Sequence, residues 1–284
     1  GLPSDAVESL VILVGGVLAL AMLTIASRPA DEDHTYGHSK AEYFSSGVEG
    51  TLILAAALSI GVAAMGRLLR PAPLDDVGLG LAISAAAAGV NLAVALVLLR
   101  TGRRHQSITL EANAHHLLTD VWTSVGVILG VAAVGWTGWL RLDPILALLV
   151  AANIIRTGLG IVRRSVAGLM DTALPPEVLN QVESVLHNYR SQGVQFHALR
   201  SRQSGAWRFV SFHVLVPGNW TVQRGHDLLE EIEADVRRHL PRCTVDTHLE
   251  SLDDPASWED QTLERKGKST RPAEDPPAAG ELHG

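Results

Sequence analysis

A histidine and an aspartate four residues apart, His116 and Asp120, stand inside an apolar stretch that runs from Ile108 to about Val134. The stretch is long enough to cross a bilayer as a helix, which takes about 20 residues, and residues four apart share one helix face. Imidazole and carboxylate are ligands that suit zinc and its first-row neighbours. Because ionisable groups are costly at membrane depth, the pair predicts either a metal site or a His–Asp hydrogen bond that only joins helices.

A second group of candidate ligands lies in an acidic loop after the first apolar stretch. Asp31, His34 and His38 follow a D-x-x-H-x-x-x-H spacing, which can present one oxygen and two nitrogens to a metal ion. The same loop is rich in turn-forming and acidic residues, and such a loop needs no metal to explain it. Spacing alone therefore leaves a metal site and a solvated loop as alternatives.

A third group lies in the C-terminal third, where strand alternation sorts the histidines. His213 falls on the face opposite to the apolar Phe212 and Val214, and His248 and Glu250 share one face of a later strand. Either these are ordinary surface residues or they converge on one sheet surface as metal ligands. The candidate ligands are His197, His213, His248 and Glu250, with His226 supplied by the following helix or by a partner chain.

Composition favours a membrane protein and argues against nucleic acid as a partner. Of the 284 residues, 47% are hydrophobic, and the charged residues are concentrated outside long Ala, Leu, Val and Gly runs. The formal net charge of −7 argues against binding to nucleic acid, because proteins that bind nucleic acid usually present a basic surface. A single cysteine, Cys243, excludes an intrachain disulfide and an all-thiolate metal site.

Five apolar stretches are each compatible with one membrane crossing. They cover residues of about 5–28, 43–68, 77–99, 108–135 and 144–162. Arginine and lysine residues cluster at alternate ends, which places 29–42, 100–107 and everything after 163 in the cytoplasm. By this count Gly1 begins outside and without a methionine, so we expect a six-span protein that lacks its first helix here.

The C-terminal half reads as a small α/β domain. A helix is predicted from Pro175–Glu177 to about Tyr189, which a proline in the first turn favours. Alternation predicts strands at 196–202, 207–216 and 243–252, with an amphipathic helix at 221–240. Helix, two strands, helix and strand fit a ferredoxin-like fold. We expect a transmembrane domain over 1–171, a cytoplasmic domain over 172–258 and a disordered tail over 259–284.

Two segments together resemble the cation diffusion facilitator family of divalent-metal/proton antiporters. They are DEDHTYGHSKAE, from Asp31 to Glu42, and AHHLLTDV, from Ala114 to Val121. The resemblance implies a six-helix membrane domain, a ferredoxin-like cytoplasmic domain and a homodimer. It also implies a transport site with two ligands from the family's second helix and two from its fifth, the latter being His116 and Asp120.

The second-helix pair of the family falls on Glu8 and Ile12, and isoleucine cannot coordinate a metal. Water, Asp5 or Ser9 could fill that corner, or the site could prefer another ion. The resemblance also assigns the loop group and the sheet group above to two further metal sites. Lys40 and Asp171 match a family ion pair that ties the two domains together, which we expect to be partly buried and to cost about 3–5 kcal/mol when broken one-sidedly.

The sequence thus predicts a secondary transporter in a bacterial inner membrane, and not an enzyme. It would export a divalent transition metal from the cytoplasm in exchange for protons, with zinc as the first expectation and iron, cobalt, cadmium or manganese as alternatives. The alternative function, from another class of protein, is a non-transporting membrane metal sensor or scaffold. It is suggested by Ile12, which cannot serve as the expected metal ligand. A membrane metalloenzyme is the weaker third option, since the sequence holds no H-E-x-x-H motif.

Overall fold

The computed structural model describes residues 15–70 and 78–258, with side chains from residue 82 in the second range. Its membrane half contains, within those ranges, α1 (Gly15–Ala26), α2 (Ala41–Leu69), α3 (Gly78–His105), α4 (Ile108–Thr137) and α5 (Leu142–Leu169). The last four are long and apolar enough to cross a membrane, and the described part of α1 is shorter. The predicted helical membrane domain is confirmed.

Two of these helices run further than the apolar pattern predicts. The apolar stretches end near residues 99 and 162, whereas α3 continues to His105 and α5 to Leu169. In α3 the last turn carries Arg103, Arg104 and His105, and cationic side chains stabilise the C-terminal end of a helix. A hydropathy limit therefore marks where a helix leaves the lipid, not where the helix ends.

Helices α2 and α5 form the closest pair in the bundle. A Cβ added at Gly50 of α2 would lie 2.9 Å from a methyl group of Val162, and one at Gly158 of α5 would lie 3.0 Å from Leu54. Small residues allow such close backbone approach, which is the usual basis of helix packing in membranes. At one end of the pair, the Arg67 guanidinium lies 2.8 Å from the Asp143 carboxylate.

The outward faces of the helices are apolar and exposed, as a lipid-facing surface should be. Large side chains of this kind include Leu58, Val62, Val97, Leu129 and Leu149. Trp136 and Trp139 are exposed where α4 ends, and tryptophan is enriched at the membrane–water interface. Apolar side chains exposed to this extent would be unfavourable in water, and they therefore support a multi-pass membrane protein.

The start of α4 is fixed by a carboxylate from α2. Ser107 caps α4 by accepting a hydrogen bond from the backbone N–H of Leu110. Its hydroxyl donates to Glu42 Oε2 at 2.5 Å, and the Thr109 backbone N–H approaches the same oxygen at 3.5 Å. Because helix N-termini attract negative charge, buried Glu42 joins the cytoplasmic ends of α2 and α4.

The C-terminal part forms a three-stranded sheet with two helices. Its elements are α6 (Pro176–Tyr189), β1 (Gln195–Ser204), β2 (Trp207–Val216), α7 (Val222–His239) and β3 (Cys243–Ser251). The sheet order is β1-β2-β3, so α7 connects the two neighbouring strands β2 and β3. Phe212, Val214, Ile232 and Val236 are fully buried in its core. The predicted α/β element order is confirmed, and the expected tail at 259–284 lies outside the described residues.

The chain divides into two compact units, and the division runs through the sheet. The first unit holds residues up to Leu179 together with Ser201–Phe209 and Pro241–Thr244, and the second holds the remainder. Tyr43 of α2 belongs to the first unit, and its hydroxyl accepts a hydrogen bond from the Gly205 backbone N–H at 3.1 Å. The tip of the β1–β2 hairpin is therefore held by the membrane helices.

Gly168→Ala is expected to destabilise the protein by about 1–3 kcal/mol, the usual range for overpacking. A methyl group at Gly168 of α5 would overlap the ring of Tyr43, which is 6% exposed, and would displace its bond to Gly205. Thermal unfolding in detergent measures the effect. Gly160→Ala on the same helix is the matched control, since nothing lies within 4 Å of its added Cβ. Equal melting temperatures for the two variants would contradict this packing.

Candidate metal sites

The intramembrane pair lies on α4, which presents His116 and Asp120 one turn apart on a single face. Both residues are half-buried. A carboxylate that the sequence analysis missed contacts the histidine: Oε1 of Glu49 on α2 lies 2.7 Å from Nδ1 of His116, and the two side chains are 7% and 18% exposed. Helix α2 therefore brings an acidic group to the face of α4 that carries His116 and, one turn further on, Asp120.

The remaining predicted members of this site lie outside the described residues. They are Glu8, Ile12, which stands where the family has a metal ligand, and Asp5 and Ser9, which could take the place of that ligand. The described part of α1 begins at Gly15, whose added Cβ would lie 3.4 Å from Glu49 Oε2. Helix α1, which follows Glu8 and Ile12 in the chain, therefore lies next to the Glu49 carboxylate that contacts His116.

The acidic loop brings its three predicted ligands together. Asp31 Oδ1 lies 3.3 Å from His34 Nδ1, and Asp31 Oδ2 lies 3.4 Å from His38 Nε2. The two imidazole rings are 4.3 Å apart between centroids. Gly37 makes the required turn at a φ of +81°, and its N–H donates to the His34 carbonyl. One oxygen and two nitrogens converge, which suits a borderline divalent ion.

The loop also prepares Asp31 to stay ionised. The His34 backbone N–H donates to its carboxylate at 2.7 Å, and this hydrogen bond lowers the pKa of Asp31, with the nearby His38 and His34 acting in the same direction. A metal ligand has to be deprotonated to bind. The carboxylate is therefore ready to accept a cation at any pH near neutrality.

The sheet brings together His197 of β1, His213 of β2, and His248 and Glu250 of β3. His197 Nε2 lies 2.9 Å from Glu250 Oε2, and His213 Nδ1 lies 3.3 Å from Glu250 Oε1. The same oxygen is 3.6 Å from His248 Nε2. His197 and Glu250 are only 9% exposed, while His248 remains at the surface. One buried carboxylate thus stands among three imidazoles on adjacent strands.

An aromatic side chain covers part of this cluster. Trp258 packs edge-on against His197 with ring centroids 5.9 Å apart. Ala198, directly after His197, has a φ of +52°, which is uncommon for a residue with a side chain. His226, the other predicted ligand, is exposed on α7. Two or three nitrogens and one carboxylate oxygen form a donor set that fits zinc.

Lys40 and Asp171, the predicted ion pair, are in contact at 3.0 Å. Arg202 of β1, which the sequence analysis missed, lies 3.3 Å from the same carboxylate and stacks over the rings of Tyr36 and Phe209. Partial burial opposes ionisation of Asp171, but hydrogen bonds and charge from Lys40 and Arg202 outweigh it and lower its pKa. Both predicted partners are more exposed than expected, at 39% and 46%.

Removing Lys40 and Asp171 in a double-mutant cycle should give a coupling of about 0.5–1 kcal/mol, typical of exposed pairs, and not the 3–5 kcal/mol of a buried pair. Because the folded-state pKa of Asp171 lies below its ordinary 3.8, the stabilisation is present above that value and is lost as pH falls through the lower, folded-state pKa. Unfolding at pH 8 and pH 5 should therefore give the same coupling. A coupling that disappears by pH 5 would contradict this assignment.

Apolar helices of spanning length, an ionisable group inside the bundle and a small α/β domain after it define a multi-pass membrane protein with a cytoplasmic domain. Residues 1–170 match the model of the cation efflux transmembrane domain, and 174–252 match that of the cation efflux protein cytoplasmic domain. The chain belongs to the cation diffusion facilitator family, whose members are transporters of divalent metal cations and not enzymes. The second match also indicates dimerisation.

Individual relatives agree with this family. The chain is 52% identical over 259 residues to the uncharacterized transporter sll1263 of Synechocystis, covering 91% of this chain and 84% of that protein. It is 30% identical over 252 residues to the cation-efflux pump FieF of Klebsiella pneumoniae, covering 88% and 82%. A solved chain of CzrB is 29% identical over 28% of this chain and 96% of that one, with a TM-score of 0.27.

Proposed function

We propose that this cation-efflux transporter exports a divalent transition metal, zinc in the first place, from the cytoplasm of a bacterium across its inner membrane in exchange for protons. His116 and Asp120 would bind the ion inside the bundle, with Glu8 as a further ligand. The observation that carries the proposal is the face of α4 that presents these two ligands next to a buried carboxylate of α2. Nitrogen and oxygen donors of this kind suit zinc, while iron, cobalt, cadmium and manganese remain alternatives.

Exchange with protons follows from the chemistry of the ligands. Imidazole and carboxylate groups bind metal only when deprotonated, so metal and protons compete for the same atoms. Protons that arrive from the outside would displace the ion, and rocking of helices about the site would alternate its access. Each full cycle would therefore carry metal outward in one half and protons inward in the other.

The two other groups of ligands would serve regulation. Residues 172–258 would form the dimerisation and metal-sensing domain, with the site built by His197, His213, His248 and Glu250 and completed by His226 of the same or the partner chain. The loop group Asp31, His34 and His38 would bind a further ion at the cytoplasmic side of the transmembrane domain, residues 1–171. The Lys40–Asp171 ion pair would join the start of α2 to the end of α5, within the first compact unit. When bound, zinc would supply a fixed positive centre that joins these side chains.

Metal uptake into proteoliposomes tests the function. The purified protein is reconstituted with a pH-sensitive dye inside the vesicles, and zinc, iron, cobalt, cadmium and manganese compete in turn. Zinc flux matched by opposite proton movement is the expected result. Zinc binding without flux under any proton gradient would favour the rival, a non-transporting metal sensor. Flux without proton movement would contradict the antiport.

A further inference from the structure

We propose that Glu49 is a ligand of the transported cation, and that α2 therefore contributes to the transport site together with α4. This inference rests on the proposed function in one respect, that His116 and Asp120 bind the cargo. The observation that leads to it is the 2.7 Å contact between Glu49 Oε1 and His116 Nδ1. The sequence analysis assigned neither Glu49 nor any other α2 residue to this site.

The position of Glu49 in α2 points to a function other than packing. It is the sole ionisable residue of the sequence between Tyr43 and Gly66, and its side chain is 7% exposed. A carboxylate at membrane depth is costly, so it is retained where it pairs or contacts an ion. The group it contacts is a histidine that itself stands next to a second acid, Asp120, on one helix face.

The two carboxylate oxygens of Glu49 reach both neighbouring helices. Oε1 contacts His116 on α4, while Oε2 lies 3.4 Å from the place where a Cβ would stand on Gly15 of α1. Because Gly15 has no side chain, the carboxylate has room on that side. The resemblance counts Ile12 among four ligand positions, so the site is one ligand short, and Glu49 would supply the missing oxygen.

The present distance is close to what a bound ion would need. Two ligand atoms at about 2.0–2.1 Å from a tetrahedral zinc stand roughly 3.3 Å apart. The Glu49–His116 contact would have to open by only about 0.6 Å to admit the ion between its atoms. That change is small enough for rotation of the two side chains to supply.

Glu42 shows what a purely structural carboxylate looks like in the same helix. It lies seven residues before Glu49 and is also buried, and its carboxylate accepts a hydrogen bond from the Ser107 hydroxyl and lies near the Thr109 backbone N–H. Glu42 is thus satisfied by a helix N-terminus. Glu49 contacts an imidazole nitrogen, which is a metal-binding atom.

Cobalt binding to the full-length protein in detergent tests the proposal. A background that carries His38→Ala, Glu250→Ala and Cys243→Ala removes the loop site, the cytoplasmic cluster and the sole thiol. In it, Glu49→Gln should weaken Co²⁺ binding by more than about 100-fold, because even partners outside the ligand shell cost about 10–100-fold. The matched control is Glu42→Gln, which should bind Co²⁺ as the background does.

The outcomes separate this inference from the function on which it rests. Background affinity in Glu49→Gln overturns the inference. A loss of only about 10–100-fold also overturns it, since Glu49 would then act by orienting His116. Asp120→Asn in the same background tests the proposed function: if it retains full Co²⁺ affinity, the transport site itself is misplaced, whatever Glu49 does.

Discussion

Asp120→Ala should abolish metal flux in proteoliposomes while the protein remains folded and dimeric. The substitution removes an anionic ligand from α4, and the loss of one of so few ligands leaves the ion without adequate compensation inside the membrane. The residue is half-buried and is not among the buried core residues, so we expect the fold to survive its truncation. Initial rates of zinc uptake, normalised to the amount of inserted protein, measure the effect.

Glu111→Ala is the charge-matched control for this variant. Glu111 is a carboxylate on the same helix, but it lies 3.1 Å from Arg164 at the cytoplasmic end of the bundle. Its removal should leave flux within about twofold of the unsubstituted protein, as expected for a partly exposed pair. If Asp120→Ala also transports at that rate, the metal does not pass by Asp120. The companion variant Ile12→Asp should tighten zinc binding if position 12 faces the site.

Glu250→Ala should remove zinc-dependent tightening of the dimer. Glu250 contacts His197, His213 and His248, so it holds the cluster together and supplies its negative charge. A metal that binds only the assembled form favours it by about 2.7 kcal/mol at a hundredfold excess over its dissociation constant. Sedimentation of the full-length protein in detergent, with and without zinc, should show this gain for the unsubstituted chain and none for the variant.

The same measurement has a pH dependence of known sign. Protons compete with metal for imidazole nitrogens, so the zinc effect should weaken as the pH is lowered. The control is His187→Ala, which removes an exposed histidine of α6 and should keep the full zinc effect. A zinc effect that survives in Glu250→Ala would mean that this cluster does not bind the zinc that tightens the dimer.

The helices and strands, and the faces of the strands on which the cytoplasmic histidines lie, could be predicted from the sequence because both depend on local periodicity. Alternation along β2 and β3 places His213, His248 and Glu250 on defined faces, and adjacency of the strands then brings them together. The same holds for Asp31, His34 and His38, which one turn of chain joins. Short-range patterns predict such sites whenever the contacts lie within one element or between paired strands.

Contacts between distant helices were not accessible in this way. Glu49 and His116 are 67 positions apart, and nothing in the sequence specifies which faces of α2 and α4 meet. One signal was present: a lone acid inside an apolar span is a candidate functional residue by its cost alone. Arg202 gave no comparable signal, because its contact with Asp171 depends on how the hairpin tip folds.

The two glutamates of α2 determine how α4 can move. They are seven residues apart, about 10 Å along the axis, and both contact α4, but the Glu42 contact involves no metal ligand and so persists whether or not an ion is bound. If α4 moves as a rigid body about this contact, its displacement grows with the distance from Ser107. Trp136 lies about three times as far from Ser107 as His116 does, so a shift of roughly 1 Å at His116 would become about 3 Å at Trp136. The proposed exchange of ions would therefore need only a small change at His116 to move the far end of α4.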